Sequence, residues 1–140
     1  MTQVDFHFNM PDKLGYGCRL VRKVFRTGLG ALVVCSNEEQ RSEFDRLLWT
    51  FSEPEFIPHV MAGDELAGQT PILLALGDAE AVSRDVLINL GPDLPAGFSR
   101  FDRLVELVGT DPDDREAARA RWRFYRDRGY EIRNHDVARG

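Results

Sequence analysis

The sequence predicts an α/β domain of three layers, α/β/α, around a mostly parallel central sheet. Two observations carry that expectation. Short continuous apolar runs, Ala31-Leu32-Val33-Val34-Cys35 and Ile72-Leu73-Leu74-Ala75-Leu76, have the pattern of strands covered on both faces. Ahead of the first run, apolar residues recur at the spacing of one helical face, as Leu14, Cys18, Val21 and Phe25 do.

Taken in order, Val4-Asp5-Phe6-His7-Phe8 alternates apolar and polar residues as a strand does, and Asp12 is placed to cap the helix that follows. Gly28 ends that helix, and the run at residues 31–35 is the second strand. Ser36 or Asn37 caps a second helix, in which Phe44, Leu47, Leu48 and Phe51 repeat at i, i+3, i+4 and i+7. Trp49, at the end of that helix, is expected in the core. Further strands are expected at residues 56–58, 72–76 and 86–89. Phe101, Leu104, Val105 and Val108 have helical spacing and predict a third helix; Asp111-Pro112-Asp113 restarts the chain, residues 117–128 form the last helix, and Gly129 breaks it. Tyr130 and Ile132 are read as a closing strand. With no internal repeat, low-complexity stretch or long linker, residues 1–140 are expected to form one domain.

Composition narrows the function. The apolar runs fall far short of a membrane span and the start lacks a signal peptide's basic and apolar regions, so a cytoplasmic protein is expected. Cys18 and Cys35 lie in separate elements, have no CxxC or Cys/His partner, and are expected as buried thiols. The formal charge is −5, which argues against coating DNA by bulk electrostatics. Between Arg115 and Arg128, however, six arginines face Glu116 and Asp127, a local +4 that leaves −9 for the rest of the chain. A basic segment on an acidic protein suits an anion that needs one docking face.

Catalytic signals fail. After the first strand stands Asn9-Met10-Pro11-Asp12-Lys13, with no GxxxxGK[ST] and no GxGxxG, and Asp12 would repel a phosphate. His7, His59 and His135 are isolated apart from the pair His135-Asp136 in the tail, and His59 reads best as a hydrogen-bonded residue at a strand end. There is no nucleophile elbow and no two-metal carboxylate set. A small hydrolase or nucleotide enzyme is therefore rejected; no catalytic residue, cofactor or metal is assigned.

On a helix, Arg115, Arg119, Trp122, Arg123 and Arg126 share one broad sector, so arginines surround an indole. Guanidinium forks bind carboxylates bidentately, and a half-exposed Trp can hold an apolar side chain. The same residues also fit a solvated face whose Trp122 and Tyr125 pack on the sheet, or a single-stranded DNA binder that stacks a base on Trp122.

Four stretches narrow the choice. Leu47-Leu48-Trp49-Thr50-Phe51, Glu55-Phe56-Ile57-Pro58-His59, Arg84-Asp85-Val86-Leu87-Ile88-Asn89-Leu90 and Ala118-Arg119-Ala120-Arg121-Trp122-Arg123-Phe124-Tyr125-Arg126, then Gly129-Tyr130, closely resemble the chi subunit of bacterial DNA polymerase III, in order and spacing. The resemblance implies a Rossmann-like shape without the phosphate loop. It also implies a non-catalytic adaptor between the clamp loader, reached through psi, and single-stranded DNA-binding protein, held by its acidic C-terminal tail. DNA is then met mainly indirectly, and the expected state is a monomer or a heterodimer with psi. By that resemblance the tail pocket falls on Val108, Arg115, Arg119, Trp122 and Arg123. This chain has Arg at 115 and 123 where Lys is frequent and Trp at 122 where Tyr is frequent, so charge and aromaticity are kept. Phe56 matches an aromatic that meets psi, although an aromatic at a strand start equally fits the core.

Overall fold

The computed structural model describes residues 1–51, 57–77 and 85–139. Seven strands form one sheet: β1 (Gln3–Met10), β2 (Ala31–Cys35), β3 (His59–Met61), β4 (Ile72–Leu76), β5 (Val86–Asn89), β6 (Arg103–Gly109) and β7 (Ile132–Asp136), in the order β3-β4-β2-β5-β6-β1-β7. All six pairings are parallel. Helices α1 (Lys13–Arg26) and α2 (Glu38–Phe51) cover one face, and α3 (Pro112–Asp127) covers the other. The expected three-layer architecture is the one found.

The period-2 pleat sends β2 both ways. Ala31, Val33 and Cys35 pack with Cys18, Val21, Phe44 and Leu48 under α1 and α2, while Leu32 and Val34 join Ala118 and Tyr125 under α3. This double burial is why β2 and β4 appear in the sequence as unbroken apolar runs, and β5 as one up to Asn89. Helix ends follow local chemistry too. Asp12 accepts the Gly15 N–H at 3.1 Å and Asp111 accepts the Asp114 N–H at 3.2 Å, while Gly28 and Gly129, with φ of 82° and 81°, take the left-handed conformation past each C-terminus. Pro112 at the first helical position starts α3 five residues before the sequence-based start at 117.

Three expectations need correction. Residues 101–108 are not a helix: Phe101 is extended, and the chain from Arg103 is β6. Leu104 and Val108 face α3 while Val105 and Leu107 face α1 and α2, so a doubly buried strand fits the same spacing as a helical stripe. Glu106 hid the strand further by placing a carboxylate in its middle. The third strand runs over His59–Met61 rather than 56–58; Ile57 and Pro58 precede it, Pro58 having no N–H for a ladder, and Phe56 lies outside the described residues. Trp49 is 54% exposed rather than core, because Phe44 and Leu48 set the buried face of α2 and Trp49 stands about 100° around from Leu48. Its ring lies 4.8 Å from that of His59. The closing strand is longer than expected and takes in the His135-Asp136 pair.

His59 is hydrogen-bonded at a strand end as expected, its Nδ1 2.7 Å from the Ile57 carbonyl, with Nε2 3.1 Å from Asp45. Cys18 and Cys35 are buried, and burial pushes both thiols up to about 12. No described helix is long and apolar enough to cross a membrane.

Candidate functional site

The rotation of α3 decides which arginines meet the sheet. Ala118, Arg121 and Tyr125 are its buried residues, and at about 100° per residue they fix one inward sector. Arg121 is buried to 3% exposure because Glu106, fully buried in β6, accepts its Nε–H at 3.0 Å, and its Nη1 donates to the Pro92 carbonyl at 2.6 Å. Tyr125 donates to the other Glu106 oxygen at 2.6 Å, and Asn89 donates to the first at 2.9 Å. Burial pushes the Glu106 carboxyl upward, with Arg121 and the hydrogen bonds from Tyr125 and Asn89 pulling against it. Burial and the adjacent Glu106 raise the Tyr125 phenol, which keeps it a donor.

With that sector inward, Trp122, Arg115 and Arg119 come onto the flank of α3 that faces β1 and β7. They line a cleft of ≈ 310 Å³. Its floor is apolar: Phe6 and Phe8 from β1, Val108 from β6 and Ala118 from α3. Trp122 is half-buried and donates its indole N–H to Asn134 of β7 at 3.2 Å, and the Arg126 guanidinium stands 5.4 Å from its ring. Arg115 donates to Asn9 at 2.9 Å, and Asn9 in turn donates to Asp136 at 3.1 Å. Asn9 has φ 67° at the irregularity that ends the β1–β6 ladder, a left-handed conformation that Asn tolerates better than most residues. Arg119 is exposed, with Glu116 at 3.5 Å.

Of the five positions expected in the pocket, the cleft brings together Val108, Arg115, Arg119 and Trp122. Arg123 is exposed and stands a further ~40° around the helix from Arg119, beyond the lining. Phe6, Phe8, Asn9 and Asn134 were not anticipated. The apolar alternation of β1 was visible, but its face toward α3 was not. Among the described residues no group of His, Cys, Asp and Glu is arranged to hold a metal ion.

The family model described as DNA polymerase III chi subunit, HolC, matches residues 1–133. The chain belongs to the DNA polymerase III chi subunit family. A chi subunit of Pseudomonas aeruginosa is 39% identical over 143 residues, covering 99% of this chain and 99% of that protein. The chi subunits of Haemophilus influenzae and Escherichia coli are 31% and 28% identical, over 86% and 82% of this chain. This chi-family chain is thus a component of DNA replication and an accessory subunit of its polymerase. Among solved structures it is similar to S. cerevisiae Dbp5 bound to RNA and ADP BeF3, with a TM-score of 0.70 and 11% identity over 97% of this chain and 41% of that one. It also matches the C-terminal domain of the DEAD-box protein Dbp5, with a TM-score of 0.67 and 12% identity over 99% of this chain and 91% of that one. At such identities the likeness concerns the fold alone.

Proposed function

We propose that this chi-family chain is a non-catalytic replication adaptor whose α3 cleft holds the acidic C-terminal tail of single-stranded DNA-binding protein, while a second surface joins psi and the clamp loader. The observation that supports the reading is the cleft itself: an apolar floor walled by Trp122 and rimmed by Arg115 and Arg119, on a chain whose net charge is −5. A terminal apolar side chain of the peptide fits the floor, and its carboxylates fit the guanidinium forks. Arg123, a turn beyond Arg119, extends the positive rim toward the peptide's upstream acids.

The physics favours weak, salt-sensitive binding. Exposed ion pairs contribute about 0.2–1 kcal/mol each, and a flexible peptide loses conformational freedom on docking. Several tails presented together along coated DNA raise the effective concentration and supply avidity. A labelled acidic peptide ending in Phe, titrated with the chain in the absence of DNA, tests the reading: saturable binding that Trp122→Ala weakens is expected, and a peptide that binds the variant as well as wild type would refute it. For the psi surface, Phe56→Ala is expected to weaken capture of clamp-loader complex while leaving peptide binding intact. Equal loss of both in a folded variant would sink that assignment.

A further inference from the structure

On the opposite face of the β1–β7 edge from the peptide cleft, α1 leaves a second concavity of ≈ 480 Å³ that the adaptor reading does not use. The alternation of β1 and β7 separates the two. Phe6 faces α3 and its partner Asn134 lies at the boundary and lines both hollows, whereas Asp5 with Arg133 and His7 with His135 face α1 alone. Helix α1 closes the concavity with Tyr16, Arg19, Leu20 and Lys23, at i, i+3, i+4 and i+7.

Its charge is one-sided. Arg19 and Lys23 from α1, Arg103 from β6 and Arg133 from β7 face the single Asp5 carboxylate, four cations against one anion for a net +3. Asp5 is committed to Arg103, at 2.9 and 3.0 Å, and so does not neutralise the others. Among the described residues Arg133 meets Glu131 alone, at 3.7 Å with both side chains well exposed, and neither Arg19 nor Lys23 is bridged to a carboxylate. Burial first, then the neighbouring His135, hold His7 down at about 4, while Asp5 pulls the other way more strongly than either Arg103 or Lys23 adds. The floor is ring-bearing, with the His7 Nδ1 2.5 Å from the Tyr16 hydroxyl and the His7 and His135 rings 5.1 Å apart.

We propose that this concavity is a phosphate-binding site that takes two or three consecutive phosphates of single-stranded nucleic acid. The chemistry separates it from the peptide cleft. An acidic peptide anchors through an apolar residue, and here Leu20 is the only aliphatic side chain in the lining, whereas the α3 cleft has an apolar floor. Cations brought together from a helix and two strands match a charge that recurs along a backbone, and exposed His135 and half-buried Tyr16 offer faces to a base. With the remainder of the chain acidic, the contact is weak alone and serves a chain already held near coated DNA.

Anisotropy of a labelled oligothymidylate, titrated with the full chain at low salt, tests the site. Binding is expected that weakens with added salt, at a log–log slope of about −0.7 per phosphate engaged. Arg19→Ala with Lys23→Ala should lower affinity at least about fivefold and reduce that slope by about 1.4. Arg115→Ala with Arg119→Ala should leave oligonucleotide binding within about twofold of wild type, because those side chains lie on the other face. Inorganic phosphate and pyrophosphate, added as competitors, should displace the oligonucleotide only in large excess. Several results would overturn the proposal: no binding at the lowest salt, loss of oligonucleotide binding in the Arg115/Arg119 variant instead, binding of free phosphate as tight as that of the polymer, or an acidic peptide captured through Arg19 and Lys23. A melting temperature matching wild type establishes that the exposed α1 substitutions have not unfolded the chain.

Discussion

Replacing Arg121 with Met removes the cation from the buried group that joins α3 to the sheet. In the native chain Glu106 is fully buried and receives Arg121, Tyr125 and Asn89; Arg121→Met leaves it with the last two alone. An ion pair broken from one side inside a core costs about 3–5 kcal/mol, because the surviving charge keeps its desolvation penalty. In a domain of this size each kcal/mol is worth about 3–4 °C of melting temperature, so a fall of about 9–20 °C is expected at neutral pH. The loss should also depend on pH in one direction. Burial already pushes Glu106 upward and Arg121 is the strongest pull against it, so its removal raises the carboxyl further. A carboxyl raised in the folded state contributes stability that is present below its unfolded value and lost as pH rises through its folded value. The deficit of Arg121→Met relative to wild type is therefore smaller near about pH 5 than near pH 8, because the further-raised carboxyl loses more stability as pH rises. Urea unfolding followed by circular dichroism at several pH values measures it, and other titrating groups cancel in the difference. A deficit under about 1 kcal/mol, or one that does not change with pH, would refute the account of Glu106 and Arg121 as a mutually required pair.

Three further outcomes follow from the same geometry. Trp122→Ala should weaken acidic-peptide binding by a similar factor at low and high salt, whereas Arg119→Glu should weaken it steeply at low salt and less as salt rises; indistinguishable salt profiles would contradict the division of roles. His7, lowered from the ordinary 6.5 to about 4 chiefly by burial, binds fewer protons folded than unfolded, so its contribution is intact above pH 6.5 and declines as pH falls toward 4. His7→Asn should flatten that decline in thermal unfolding, and an unchanged slope would place its origin elsewhere. Cys18 and Cys35, pushed up to about 12 by burial, should react with a thiol reagent at mildly alkaline pH only after denaturation, and fast native labelling would count against their burial.

The local sequence by itself determined much of the scaffold. Strands β2, β4 and β5 were legible at their observed bounds, because a parallel strand covered on both faces is apolar along nearly its whole length, Asn89 at the end of β5 excepted. The stops at Gly28 and Gly129 and the cap at Asp12 were legible because they depend on backbone conformation and on groups within a few residues. Of the nine residues that line the cleft, Val108, Arg115, Arg119 and Trp122 were legible, all four through the family resemblance and the last three also through their shared sector of one helix.

Only the tertiary structure decided the rest. Six arginines between 115 and 128 look alike in sequence, yet Arg121 goes inward because Glu106, fifteen residues earlier and on another element, is there to receive it. That pairing fixes the rotation of α3 and leaves Arg115 and Arg119 at the cleft with Arg123 beyond it. Residues 103–109 became a strand for the same kind of reason: helix and doubly buried strand share their spacing, and the neighbours β1 and β5 decided between them. The cleft floor from Phe6 and Phe8 and the partner of Trp122 at Asn134 come from the two ends of the chain, brought side by side by β1–β7 pairing. Such contacts depend on which elements become neighbours, and no local pattern of residues contains that.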